Sequence, residues 1–204
     1  MSDKLVVIFV EGATEISFYK KFVSHIHEKN GGSLSAKIIY KNLKGIGNYK
    51  IQARNHLLKH IIPNHPKERI TVLLCHDTDV FEGAAVPPVD WKKIRDELIK
   101  ISEVNKVDFI KAKKSIEDWF LYDEVGILKF LRLPPETKVN GRGFARIKEL
   151  FKKANKLYVK GGRHEAERFM DALNIGLIAS IICEDIKPLC KALGMNCISI
   201  ICGE

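Results

Sequence analysis

Two short apolar runs, both rich in β-branched residues, end just before acidic residues, and this pattern limits the folds that the chain can adopt. Residues 5–10 precede Glu11, and residues 70–75 precede Asp77. Apolar runs of this length predict strands that are buried on both faces, as in parallel sheets. In open α/β sheets, ligands bind beyond the carboxyl ends of such strands, which is where both acidic groups fall.

Strand and helix patterns alternate through residues 1–114, which we predict to be the first of two parts of the chain. The alternation predicts βαβ units with right-handed crossovers, and therefore an α/β fold with a mostly parallel sheet. If Glu11 and Asp77 share a metal ion, the first and third strands must be neighbours, which gives the strand order 2-1-3-4. Strands are expected at 5–10, 36–40, 70–75 and 106–112, and helices from about 13 to 29, at 49–62 and at 91–103.

Residues 115–204 are predicted to form a second, mainly helical part. Ser115 can cap a helix that carries acidic side chains in its first turn, as the helix dipole favours. Further helices are expected at 144–156, 164–173 and 175–193. The apolar residues 197–202 predict a last strand that could return to the sheet.

The charge balance favours an anionic partner. Lys and Arg outnumber Asp and Glu by 34 to 25, which gives a net charge of +9. Phosphate neutralisation supplies most of the non-specific affinity in nucleic-acid complexes, so DNA or RNA is the expected partner. A basic surface that is merely solvated is the alternative. The candidate nucleic-acid-binding residues are Lys113, Lys114, Arg142, Arg146 and Arg163.

Hydropathy argues against a membrane protein. No apolar stretch reaches the roughly 18 residues that a membrane span needs. The N-terminus lacks the basic segment and apolar core of a signal peptide. We therefore expect a cytoplasmic protein with no membrane partner.

The acidic residues are spaced as oxygen ligands of a metal ion would be. Glu15 lies four residues after Glu11, so a helix that starts near residue 13 lets both point into one crevice. Asp77 and Asp79 are two apart and face the same way while the chain stays extended. Four carboxylates in one crevice repel each other unless a cation neutralises them, which predicts a Mg²⁺ or Mn²⁺ site. For Glu15, an acidic helix N-terminus without a ligand is the alternative.

The two acidic motifs resemble those of a known family. Glu11-Gly12 and Asp77-Thr78-Asp79 are similar to the hallmarks of the TOPRIM family, the catalytic domain shared by topoisomerases, primases and several nucleases. The resemblance covers about residues 4–112. The stretch 115–121, SIEDWFL, and the Glu-x-x-x-Glu spacing resemble the TOPRIM branch of the OLD (overcoming lysogenization defect) nucleases and related small anti-phage proteins.

This resemblance implies a three-layer TOPRIM-like catalytic core over 1–114 and a nuclease that uses two metal ions to cleave DNA or RNA, with a role in phage defence. Glu11 and Lys160 are implied as catalytic residues, with Lys160 stabilising charge on the phosphate. Lys152, Lys156 and Arg163 are the alternatives for that role. Since the chain carries no ATPase domain, a separate ATPase subunit and self-association are further partners to test. The implied metal ligands are Glu11, Glu15, Asp77, Asp79 and Glu117.

Two other functions are compatible with parts of the sequence. Asp77-Thr78-Asp79 after an apolar strand also resembles the haloacid-dehalogenase phosphatases, with Asp77 as the nucleophile and Asp79 as the acid/base. That alternative leaves Glu11 unexplained. The other alternative is a non-catalytic TOPRIM-like module that binds nucleic acid or a partner protein.

Overall fold

A parallel sheet with the order β2-β1-β3-β4 forms the centre of the structure, a computed structural model that describes residues 3–79, 89–159 and 163–195, without the side chains of 163–166. Its strands are β1 (Lys4–Val10), β2 (Lys37–Asn42), β3 (Arg69–Asp77) and β4 (Val104–Ala112). Every neighbouring pair is parallel. The predicted α/β class and the predicted strand order are both confirmed.

The register of the sheet places the carboxyl ends of β1 and β3 side by side. Phe9 pairs with Leu74, and Asp77, at the end of β3, pairs with Ala112 of β4. β3 is two residues longer than the predicted 70–75 run at this end because His76 and Asp77 still pair with β4. Glu11 and Asp77 therefore lie at the same edge of the sheet.

Helices of very different lengths connect and follow the strands. The predicted helix 175–193 is divided into two, since Pro188 cannot lie inside a helix without breaking a backbone hydrogen bond and starts a new helix instead. The predicted strand 197–202 lies outside the described residues. Within the described ranges, no helix is both long and apolar enough to cross a membrane. The helices are α1 (Ala13–Lys29), α2 (46–64, a continuous helical segment of successive 3₁₀, π and α turns), α3 (Trp91–Leu98), α4 (Ile116–Phe120), α5 (Glu124–Leu131), α6 (Gly143–Lys153), α7 (Arg163–Ala172), α8 (Ile175–Ile181) and α9 (Lys187–Ala192).

Helices cover both faces of the sheet, which explains the uninterrupted apolar strands. Alternate residues of β1 enter opposite cores: Val6 and Ile8 face α1 and the C-terminal helices, while Val7 and Phe9 face α2 and α3. Residues on both sides of position 114 share the first of these cores. The division into parts 1–114 and 115–204 stays a prediction.

Candidate metal centre

The carboxyl ends of β1 and β3 border a small cavity. With the strand order 2-1-3-4, the first connection packs on one face of the sheet and the second on the other, so a crevice opens between β1 and β3. Three of the five predicted metal ligands line this cavity. Its lining residues are Glu11, Glu15, Tyr19, Cys75, His76, Asp77, Ala112 and Ile116.

Asp77 connects the end of β3 to the beginning of α4. Its Oδ1 accepts a hydrogen bond from the Ile116 backbone N–H at 3.0 Å, and its own N–H donates to Glu11 Oε1 at 3.1 Å. The residue is only 6% exposed. Asp77 therefore has a structural role in addition to any chemical one.

Glu15 folds back over Gly12. A Cβ added to Gly12 would lie 2.7 Å from Glu15 Oε2, closer than real Cβ contacts allow. Gly12 has φ −147°, an extended conformation open to any residue, so the glycine is needed for space and not for backbone geometry. The Glu-Gly pair thus keeps room for the Glu15 carboxylate beside the cavity.

We expect Gly12→Ala to fold normally and to displace the Glu15 carboxylate, since that carboxylate is the end of a flexible side chain. Metal-dependent activity should fall about tenfold, while the free energy of unfolding should change by less than about 1 kcal/mol. A double-mutant cycle with Glu15→Gln, measured as cleavage rate and by urea denaturation, checks this. If the two effects on activity simply add, the two residues act independently.

Glu117, the fourth predicted ligand, is fully buried in the first turn of α4, which begins with a capping box formed by Ser115 and Asp118. The Tyr158 hydroxyl donates to Glu117 Oε1 at 3.4 Å. Burial raises the pKa of Tyr158, and the negative charges of Glu117 and Glu15 raise it further. Tyr158 therefore contacts Glu117 directly and lies within electrostatic range of Glu15.

Asp79 occupies a different environment from Asp77. It is exposed, and it is not among the residues that line the cavity. β3 ends at Asp77, after which the N–H groups of Thr78 and Asp79 donate to Lys114 O at 2.8 and 2.9 Å. The turn after β3 is thereby fixed against the turn after β4.

The donor chemistry of the cavity suits a divalent cation, because carboxylate oxygens are the ligands that Mg²⁺ prefers. Among the described residues, however, no group of three or more acidic, histidine or cysteine side chains is placed to hold a metal ion. Glu11 and Asp77 each accept a backbone N–H hydrogen bond at one carboxylate oxygen.

Tyr49, which the sequence did not identify, packs against the strand ends that border the cavity. The Tyr49 hydroxyl donates to Cys75 O and lies 3.4 Å from Phe9 O, so α2 is held against the ends of β1 and β3. Burial raises the pKa of Tyr49, and the charges of nearby acidic residues, first Glu11 among them, add to the effect. In the sequence, Tyr49 and Tyr158 are indistinguishable from ordinary core aromatics.

His76 is a stacked, buried neighbour of Asp77. Its ring lies 3.9 Å from that of Trp91, with 17° between the planes. Burial lowers the pKa of His76 to about 4, and the charge of Lys111 acts in the same direction. The imidazole is therefore neutral at pH 7.

Because the pKa of folded His76 is about 4 and the usual value is 6.5, its contribution to stability is present above pH 6.5 and is lost as the pH falls towards 4. His76→Phe keeps a flat ring on Trp91 that cannot take a proton. Between pH 7.5 and 4.5, the wild type should lose roughly 2–3 kcal/mol more unfolding free energy than this variant. Urea denaturation at both pH values measures the difference, with the exposed His60→Phe as control; equal losses in wild type and His76→Phe would contradict it.

Two of the predicted nucleic-acid-binding residues precede α4, and a third precedes a glycine that packs against Ser115. Lys113 is exposed and Lys114 is half-buried, directly before Ser115. Arg142 is exposed and precedes Gly143, where an added Cβ would lie 2.7 Å from Ser115 Oγ. Basic residues thus lie close in the chain to the N-terminus of α4, which carries Glu117, and to the segment packed against it.

The remaining basic candidates differ. Arg146 donates two hydrogen bonds to Glu124, at 2.7 and 2.9 Å, so its charge is already paired between α6 and α5. Arg163 is the first residue of α7, and its side chain is outside the described part. Lys160 is outside the described residues altogether, and its catalytic role stays a prediction.

Comparisons of the chain with models of protein families, with curated proteins and with solved structures found no match. The TOPRIM resemblance therefore stays a prediction from the motifs at Glu11 and Asp77. The observation that supports metal-dependent chemistry is the arrangement of acidic side chains where β1 and β3 end.

Proposed function

We propose that this protein is a divalent-metal-dependent nuclease that cleaves phosphodiester bonds of DNA or RNA. The observation that carries the proposal is that Glu11, Glu15 and Asp77 line one cavity at the crevice between β1 and β3. In folds with this strand order, that crevice is where ligands bind. The fully buried Glu117 accepts a hydrogen bond from Tyr158, whose pKa the negative charge of Glu15 also raises.

Mg²⁺ or Mn²⁺, when bound, would supply an activated water and charge neutralisation at the phosphodiester, most effectively as a pair of ions. Glu11, Glu15 and Asp77 would hold the metal, with Glu117 and Asp79 as the further ligands of the proposed set. Lys113, Lys114 and Arg142 would bind backbone phosphates near α4, in keeping with the net charge of +9.

The proposed cellular role and partners rest on the resemblance of the Glu11 and Asp77 motifs to the TOPRIM family. We propose that the protein is a TOPRIM-like nuclease similar to those of the OLD branch, cytoplasmic and active in phage defence. A separate ATPase subunit and self-association are the partners to test.

A non-catalytic binding module is the second candidate. It is favoured by the absence, among the described residues, of a metal-binding group, and by the bond between Asp77 Oδ1 and α4. In such a module the acidic residues would serve only to join β1, β3 and α4.

The deciding experiment incubates the protein with supercoiled plasmid or with RNA, with and without Mn²⁺ or Mg²⁺. We expect metal-dependent cleavage that Glu11→Gln reduces roughly 10²–10³-fold, the range seen when one electrostatic stabiliser is lost. Glu149→Gln, on the exposed side of α6, is the matched control and should cleave normally. Intact plasmid and RNA under all conditions would favour the binding module, whereas turnover of p-nitrophenyl phosphate would favour a phosphatase.

A further inference from the structure

A second pocket, of about 300 Å³, lies beside the candidate metal centre at the carboxyl end of β2. The loop that forms it is bonded to the end of β1, since the Leu43 N–H donates to Val10 O and the Gly45 N–H donates to Glu11 O, both at 2.8 Å. The pocket and the acidic cavity are therefore built on the same strand end. The lining residues are Asn42, Leu43, Lys44, Asn48, Gln52 and His56.

The amide side chains of the pocket are held in fixed orientations. Asn42 Oδ1 accepts from the Lys44 N–H at 2.7 Å. Asn48 Nδ2 donates to both Leu43 O and Lys44 O, at 2.9 and 2.8 Å. These bonds occupy one end of each amide and leave the opposite end, Asn42 Nδ2 or Asn48 Oδ1, to a ligand.

His56 adds a ring and an unused polar atom. Its Nδ1 is buried and has no hydrogen-bond partner among the described residues. The ring lies 6.4 Å from that of Phe9 and 5.6 Å from that of His60. Burial lowers the pKa of His56, and the charge of Lys41 lowers it further, so the imidazole that lines the pocket favours its neutral form.

The charge of the pocket is positive. Lys44 lines it, the charge of Lys41 acts on His56, and none of the lining residues in the described part of the chain is acidic. Lys44 has φ +58°, a left-handed conformation that costs a lysine energy. The bonds from Asn42 and Asn48 hold this backbone in place from both sides. Strain maintained in this way is typical of binding sites.

We propose that this pocket binds one nucleotide unit, with its base against Asn48, Gln52 and His56 and its phosphate near Lys44. Amide and imidazole groups can form hydrogen bonds with the edges of unstacked bases. The volume is at the lower end for ligand pockets, which suits one nucleotide and excludes a duplex. The inference deepens the proposed function, because such a unit would be a neighbour of the scissile phosphate; a free mononucleotide has the same chemistry.

Binding can be measured on the full chain carrying Asp77→Asn, without metal, so that cleavage does not interfere. The ligands are AMP, UMP, an eight-nucleotide single strand, a duplex of the same sequence and inorganic phosphate, titrated by NMR. His56→Phe keeps the ring and removes its nitrogens, and it should weaken nucleotide binding about tenfold. His60→Phe, one turn along α2 and outside the pocket, should change binding by less than twofold.

Each outcome bears on the proposal. Binding of AMP or UMP that His56→Phe weakens supports a site for free nucleotides, and the same result with the single strand alone supports a site for a strand. Equal affinity for inorganic phosphate, equal effects of the two variants, or no binding overturns it. If the protein binds nucleotides but never cleaves nucleic acid, the pocket proposal holds and the proposed nuclease function is wrong. If the protein cleaves nucleic acid and His56→Phe leaves its KM unchanged, the nuclease function holds and the pocket proposal is wrong.

Discussion

Asp77→Asn is expected to reduce metal-dependent cleavage roughly 10²–10³-fold and to leave the protein folded. The asparagine side chain keeps an oxygen that can accept the Ile116 N–H, now bonded to Asp77 Oδ1 at 3.0 Å. It loses the negative charge that a divalent cation needs. Initial cleavage rates and urea denaturation of the same preparations measure the two effects separately.

Asp77→Ala is the matched comparison, because it removes both the charge and the hydrogen bond. Asp77 is 6% exposed, so its loss leaves the Ile116 N–H without an acceptor in a buried position. The free energy of unfolding should then fall by about 1–3 kcal/mol. If Asp77→Asn cleaves as well as the wild type, Asp77 is a structural residue, and the binding module becomes the better hypothesis.

The sheet could be predicted because one physical constraint fixed most of it. Apolar strands with no polar face require cover on both sides, and right-handed crossovers leave few strand orders. The requirement that Glu11 and Asp77 share an edge then selected 2-1-3-4, which the structure confirms. A hypothesis about chemistry thereby predicted topology.

The details of the site could not be predicted, because they depend on contacts between residues distant in sequence. Asp77 is bonded to Ile116, 39 residues away, and Tyr158 reaches Glu117 across 41 residues. The same-side argument for Asp77 and Asp79 applies only while the chain stays extended, and β3 ends at Asp77. Asp79 is consequently exposed while Asp77 is buried.

Metal binding should also change the free energy of unfolding. The acidic residues should lower that free energy when no ion is bound and raise it when an ion is bound. Glu15, Asp77 and Glu117 are 7%, 6% and 0% exposed, and Glu15 and Glu117 both act on Tyr158. Carboxylates crowded at such low exposure destabilise a protein that holds no cation. Glu117→Gln should therefore raise the unfolding free energy of the metal-free protein by about 1 kcal/mol.

Mn²⁺ at 100 times its Kd should stabilise the wild type by about 2.7 kcal/mol, which raises Tm by roughly 5–10 °C for a chain of this size. Glu117→Gln should lose most of that gain, so the variant is the more stable protein without Mn²⁺ and the less stable one with it. Thermal unfolding across a Mn²⁺ series measures this reversal, with Glu149→Gln as a control that keeps the wild-type shift. A residue that only fills the core cannot produce this reversal, because its effect on Tm is the same with and without metal. If Tm rises equally with Mn²⁺ in the wild type and in Glu117→Gln, Glu117 is not a metal ligand.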